Sequence, residues 1–394
     1  MAECAAPPPT LFTSLVVWFG LSLAAAGGAG CHAWARRKRR AGPRDDAGAP
    51  LPPRRGSVLL DADGGWAAGA PADDAARESW AIPAKELRFG RRLGAGNVGE
   101  VFRGAFRLRP VAIKKLLPAW AHDAGMVARF REEILLMAGM NHPNVLGFVG
   151  AVFDADAGNV CLVTELCERG TLAELLHSDE PLSWHRRLRL ARDVAMGMDY
   201  LHTRAGIIQR DLKSSNLLVT RGYEIRVADF GLSRTIAVGA MGTYCGTPAT
   251  MAPEVVRQQP YCEKADVFSF AIIMWELLTR GAPYAGRDGL ALAFAVANEG
   301  LRPPVPAYCP AEWGALMVRA WADDPAARPA FDEVQRELLR LIRLLEAPPP
   351  APAACGGDDG GGETGDGAAA ARAGSHLGRL GAPVAVPSGS VGAQ

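Results

Sequence analysis

Asp211, Lys213 and Asn216 crowd one short stretch of the chain, and a further carboxylate, Asp229, follows in an Asp-Phe-Gly turn. A carboxylate, an ammonium and an amide on one loop, with a second carboxylate close behind, suit metal-assisted phosphoryl transfer. The first carboxylate can orient a hydroxyl, the ammonium can hold a phosphoryl oxygen, and Asn216 with Asp229 can ligate magnesium. A merely solvated polar loop is the plain alternative. What lies elsewhere in the sequence weighs against it.

Such chemistry needs a grip on phosphate and a scaffold to aim it. Leu87 to Gly104 alternates enough to form two strands joined by Gly94, Ala95, Gly96, Asn97, Val98 and Gly99. Glycines there let backbone amides approach phosphate oxygens without Cβ obstruction. A GxGxxG run is weak evidence alone, because a Rossmann turn has the same wording. A Rossmann turn opens a helix. Here Glu100–Gly104 reads as a strand and Val111–Lys114 as the next one. Phe130, Ile134 and Met137 then recur at helical spacing, with Glu132 and Glu133 beside the stripe. Val160–Thr164 is an apolar strand leading into Glu165-Leu166-Cys167, and Trp184–His202 again shows helical spacing.

In this order the motifs resemble those of the eukaryotic protein kinase superfamily, over residues 86–346. The resemblance implies an α+β, bilobal fold: a small β-rich N-lobe with one helix and a large, mainly α C-lobe. It implies ATP and Mg2+ as cofactors and proteins bearing Ser or Thr as substrates. Residue by residue, it makes Asp211 the base, Lys213 the phosphate-holding cation, and Asn216 and Asp229 the metal ligands. Lys114 becomes the phosphate-binding strand lysine, and Glu133, rather than Glu132, its helix partner. Glu165 and Cys167 would meet the adenine edge through their backbones, with Thr164 as gatekeeper. Val101, Ala112 and Leu218 would sandwich the purine, although ordinary core packing accounts for them equally well. Asp266 would hold the catalytic-loop backbone, and Arg328 would pair with Glu254. Lys213 and Thr247 fit the Ser/Thr pattern, and the loop and hinge wording lean toward the tyrosine-kinase-like branch. Thr243, in Thr243-Tyr244-Cys245-Gly246-Thr247-Pro248, resembles an activating phosphorylation site that Arg210 would receive.

The charge balance, 43 basic against 42 acidic residues, carries no global nucleic-acid signature. The eight cysteines form no CxxC pair, so reduced thiols in a cytosolic setting are the default. The expected organisation is a short segment at 1–10, a transmembrane helix at 11–35, a flexible linker at 36–85, the catalytic domain at 86–346 and a Gly/Ala/Asp-rich disordered tail at 347–394. Residues 11–30 are uncharged and Arg36-Arg37-Lys38-Arg39-Arg40 follows at once. This bias predicts a single-pass membrane protein with its catalytic domain in the cytoplasm. A cleaved signal peptide, whose basic n-region is missing, and a buried or disordered apolar segment are the rivals.

Three positions depart from the family pattern. Gln209 stands where His or Tyr is usual, under Phe230 in a column with Met137 and Phe148. Thr250 replaces an aromatic, and Val98 replaces the aromatic at the tip of the glycine turn. A buried amide needs partners, so the expectation at position 209 is an unmet amide that His would relieve. None of the three performs chemistry. The leading expectation is an active, membrane-tethered Ser/Thr kinase working in signalling. The alternatives are a pseudokinase scaffold or allosteric partner with residual nucleotide binding, or a kinase for tyrosine or small molecules.

Overall fold

The computed structural model describes residues 80–96, 98–154, 159–235, 246–287 and 289–346. The membrane segment expected at 11–35, the linker before Trp80, the tail after Glu346, Asn97 and Thr243 lie outside the described residues. Among the described residues no helix is long and apolar enough to cross a membrane.

The small lobe is built on five strands: β1 (Leu87–Ala95), β2 (Gly99–Phe106), β3 (Arg109–Leu116), β4 (Phe148–Asp154) and β5 (Asn159–Glu165). They run antiparallel in the order β1-β2-β3-β5-β4. Register breaks in β1 at Phe89–Arg92 and Arg92–Gly94 curl that strand as it approaches the glycine turn. Two helices follow β3. The first, α1 (Pro118–Ala121), is a single turn that the sequence reading did not foresee. The second, α2 (Ala124–Ala138), is started by Asp123, whose carboxylate accepts from the Met126 amide at 2.8 Å. Its buried face is Phe130, Glu133, Ile134 and Met137, while Glu132 points to solvent. The apolar stripe read from the sequence is therefore the face that packs on the sheet.

The large lobe is mostly helical. It contains α3 (Leu172–His177), α4 (Trp184–Tyr200), α5 (Pro253–Val256), α6 (Lys264–Thr279), α7 (Gly289–Asn298), α8 (Ala311–Ala320) and α9 (Phe331–Glu346). Short strand pairs, β6 (Ile207–Ile208) with β9 (Arg234–Thr235) and β7 (Leu217–Val219) with β8 (Ile225–Val227), carry the loops between α4 and α5. In α6 every residue from Ala265 to Leu278 is buried, so this mostly apolar helix is enclosed on all sides and forms the axis of the lobe. The arrangement is the β-rich small lobe and helical large lobe that the motifs implied.

A buried ion pair interrupts that interior. Arg328 and Glu254 form a two-bond fork, 2.7 and 2.8 Å, with side chains 0% and 5% exposed. The guanidinium also donates to the carbonyls of Ala322, Asp323 and Lys264, which leaves none of its charge unsupported. The pair ties the end of the segment after the active site to the turn before α9. Removing one partner strands the other in a dry site. Arg328→Ala is expected to destabilise the fold by about 3–5 kcal/mol in chemical denaturation, while Arg340→Ala, at an exposed helical pair with Glu337, should change it by less than about 0.5 kcal/mol. Equal effects from the two variants would refute the buried-charge account.

Candidate active site

The sheet register assembles one wall of the cleft. Val101 lies opposite Lys114, which lies opposite Leu162, and Ala112 lies opposite Thr164. Residues two apart share a face, so Val101, Ala112, Lys114 and Thr164 look the same way. Leu218, on β7, is bridged to Thr171 from the large lobe. The glycines of the β1–β2 turn divide their work. A Cβ at Gly94 would meet nothing within 4 Å, leaving the backbone there open to a ligand, whereas one at Gly99 would strike the Lys115 carbonyl at 2.7 Å. Gly99 is thus required by the close passage of β3. At the end of β5, Thr164 is buried and its hydroxyl donates to the Glu165 carbonyl at 3.2 Å. The Glu165 side chain turns away, accepting from the Gly147 amide and from Arg226. Burial pushes the Cys167 thiol up to about 12, so it is held as an unreactive thiol.

Lys114 Nζ donates to both Glu133 oxygens, at 2.7 and 2.9 Å, and lies 3.7 Å from Asp229 Oδ1. Burial by itself would lower its pKa, but the two carboxylates outweigh burial and hold the ammonium above its ordinary range. Of the two glutamates beside the apolar stripe, Glu133 is the one that reaches the lysine.

Across the cleft, Asp211, Lys213, Asn216 and Thr247 form one hydrogen-bonded cluster. The Thr247 hydroxyl donates to Asp211 Oδ1 at 2.8 Å and accepts from Lys213 Nζ at 2.8 Å. Lys213 Nζ also lies 2.7 Å from Asp211 Oδ2. Asn216 uses its Nδ2 group on the Asp211 carbonyl at 2.9 Å and on Asp211 Oδ2 at 3.1 Å. The amide oxygen is thereby turned away from Asp211 and kept for another partner. Asp229, with its side chain half exposed, follows Ala228, whose amide donates to the Asn216 carbonyl at 3.0 Å. One carboxylate and one amide oxygen suit a cation that completes its shell with phosphate and water. Among the described residues no group of three or more His, Cys, Asp or Glu offers a fuller metal site. The residues present therefore fit magnesium carried in with a nucleotide.

Backbone geometry holds this cluster in place. Arg210 and Asp229 both sit in the left-handed region, at φ 72° and 58°, a strain that the surrounding contacts must over-determine. Gly246, at φ 110°, passes so close that a Cβ would lie 2.9 Å from the Arg210 carbonyl. Asp266, on α6, accepts from the Gln209 and Arg210 amides at 2.9 Å each and from His202 Nε2 at 2.8 Å.

Gln209 corrects an expectation. The side chain is fully buried but not unmet: Oε1 accepts from the Asp211 amide at 2.8 Å, and Nε2 donates to the carbonyls of Asp229 at 3.0 Å and Ala228 at 3.4 Å. It joins the catalytic loop to the Asp229 turn. Thr250 is likewise satisfied, donating from its hydroxyl to the Thr247 carbonyl while its own carbonyl accepts from Ser269. Sequence reasoning missed Glu276, a buried acid on α6 whose Oε1 accepts from Ser214 at 2.9 Å. Burial raises its pKa to about 7, against the lowering effects of Ser214 and His177. No local pattern marks that contact, because it depends on where α6 crosses the loop.

Gln209→Leu leaves three buried backbone groups short of a partner, at about 1–3 kcal/mol each at most. It is expected to lower both the melting temperature and turnover. Gln209→His, which cannot present a donor and an acceptor side by side, is expected to lower the melting temperature rather than raise it. A gain in stability and activity with His would show that the amide bonds contribute nothing.

The model for the family described as protein tyrosine and serine/threonine kinase matches residues 87–338. The chain is 42% identical over 257 residues to the probable serine/threonine-protein kinase drkD of Dictyostelium discoideum, covering 65% of this chain and 20% of that one. It is 40% identical over 268 residues to the serine/threonine-protein kinase STY17 of Arabidopsis thaliana, covering 68% and 46% respectively. It is 37% identical over 268 residues to the serine/threonine/tyrosine-protein kinase HT1 of the same plant, covering 66% and 67%. The chain thus spans less than half the length of the first two relatives. With a match over nearly all of the described residues and a two-lobed fold around the Lys114–Glu133 pair, the chain belongs to the tyrosine and serine/threonine kinase family of the eukaryotic protein kinase superfamily.

Proposed function

We propose that the protein transfers the γ-phosphoryl group of ATP, with Mg2+, to Ser or Thr hydroxyls of protein substrates, as a membrane-tethered signalling kinase. The observation that carries the reading is the placement of the Thr247 hydroxyl 2.8 Å from both Asp211 Oδ1 and Lys213 Nζ. An aliphatic hydroxyl is already accommodated between the acid and the ammonium, in the relation that an attacking hydroxyl needs. Magnesium, held by Asn216 and Asp229, would neutralise phosphate charge. Lys114, fixed by Glu133, orients the phosphates against the open backbone at Gly94 and Gly96. Asp211 accepts the proton of the incoming hydroxyl, and Lys213 holds the transferring oxygen. Val101, Ala112 and Leu218 would enclose the purine, with Thr164 behind it and the Glu165 and Cys167 backbones at its edge. The formed ion pair and the satisfied Gln209 favour catalysis over a scaffold without it.

The membrane location rests on the uncharged segment 11–30 and the basic run 36–40 after it. This reading puts the catalytic domain in the cytoplasm. Regulation by phosphate at Thr243 rests on Arg210, which precedes Asp211 and faces Tyr261. A phosphate there would add charge and acceptors for the guanidinium.

The full chain, incubated with labelled ATP, magnesium and a generic protein substrate, is expected to yield phosphoserine and phosphothreonine on hydrolysis. Lys114→Met and Asp229→Asn should each cut the rate by about two orders of magnitude or more, with a cooperative melting transition retained in both. Phosphotyrosine alone, or wild-type turnover in both variants, would sink the proposal. In cell fractions the chain should resist alkaline carbonate extraction. Its loop should carry phosphate at Thr243, with Thr243→Ala lowering activity. Release by carbonate would dismiss the anchor, and full activity from Thr243→Ala would dismiss the phosphosite.

A further inference from the structure

The β2–β3 hairpin is closed by two residues, Arg107 and Leu108, at φ 47° and 67°. A turn of this shape favours Asn-Gly, because both positions are left-handed. Here it carries an arginine and a leucine, and the leucine is 94% exposed, the barest large apolar side chain among the described residues. Strain and exposure both work against the fold, so packing does not explain the choice. The register places the starts of β1 and β3 beside this tip, with Leu87 opposite Phe106 and Phe106 opposite Arg109. Lys85, Arg88, Arg107 and Arg109 are therefore gathered at one end of the sheet and all are exposed. Glu86, which pairs with Arg107 at 2.9 Å, is the nearby acid. The charge is local: residues 80–116 hold nine basic and two acidic groups in a chain whose net charge is +1.

We propose that this hairpin tip docks on an anionic phospholipid surface. Exposed arginines around a projecting aliphatic side chain match lipid phosphates above an acyl layer, and the leucine gains there what it loses in water. A nucleic-acid surface would use the charge but not the leucine. The tip lies at the opposite end of β2 from the Gly94–Gly99 turn, so docking leaves the nucleotide cleft open. The inference stands apart from the anchor at 11–35, since it concerns a face of the folded lobe.

The test uses the full chain bearing Leu108→Trp, with vesicles of brominated phosphatidylcholine, alone or with roughly one-third phosphatidylserine. The emission added by the new indole is expected to be quenched with the anionic vesicles, to recover at high salt, and to be unquenched with the neutral ones. Adding Arg107→Glu and Arg109→Glu should weaken that quenching by roughly tenfold or more. Leu108→Gly, which relieves the left-handed strain, should raise the melting temperature, leave phosphotransfer to a generic substrate unchanged and reduce lipid contact measured by crosslinking. Equal quenching in both vesicles, quenching in neither, or protection of the indole by duplex DNA but not by lipid would overturn the proposal. Flotation with neutral vesicles reports the 11–35 anchor separately, so failure of one reading leaves the other measurable.

Discussion

The Asp266 carboxylate is the fixed point on which the active-site geometry depends. It is 1% exposed, rooted in a helix that is buried on every side, and it takes two consecutive backbone amides and an imidazole. Two adjacent N–H groups converge on the one carboxylate, and the chain turns immediately after them, where Arg210 adopts a left-handed conformation. Asp211 comes directly after that turn, so its direction is set from below before any neighbour touches its side chain. Because α6 is rigid by burial, the position of the acid is inherited from the core of the large lobe.

A second consequence concerns how the two lobes share the work. Lys114 belongs to the sheet and Glu133 to α2, whereas Asp229 comes from the large lobe and still lies 3.7 Å from the lysine. The ammonium therefore measures the separation of three elements at once. A shift of α2 away from the sheet would break two short bonds and leave Glu133 buried without a partner, which makes the assembled arrangement the well-defined one. Gly99 contributes to the same end by letting β2 approach β3, so that Val101 and Lys114 stand side by side.

Much of this was legible in the sequence because it is local or periodic. The α2 stripe, the alternation in β2 and β3, and the wording around Asp211 and Asp229 all encode their structure within a few residues. The pairing of Arg328 with Glu254, far apart in the chain, came through resemblance rather than through any pattern in the residues themselves. What stayed hidden depends on crossing geometry. Glu276 meets Ser214 only because α6 passes under the loop, and nothing near either residue announces it. Gln209 was misjudged for a related reason: its type signals a buried amide, but whether that amide is satisfied depends on carbonyls of Ala228 and Asp229 that another strand delivers. The four-residue α1 was missed because it is too short to show a period.

The same glutamine has an implication beyond packing. An imidazole at this joint would exchange a proton near neutral pH, and its donor and acceptor positions would change with that exchange. A carboxamide has no proton to gain or lose in that range. The seam between the Asp211 loop and the Asp229 turn therefore keeps one fixed pattern of donors and acceptors as the surrounding acidity varies, and its contribution to holding the two loops in register is blind to proton concentration.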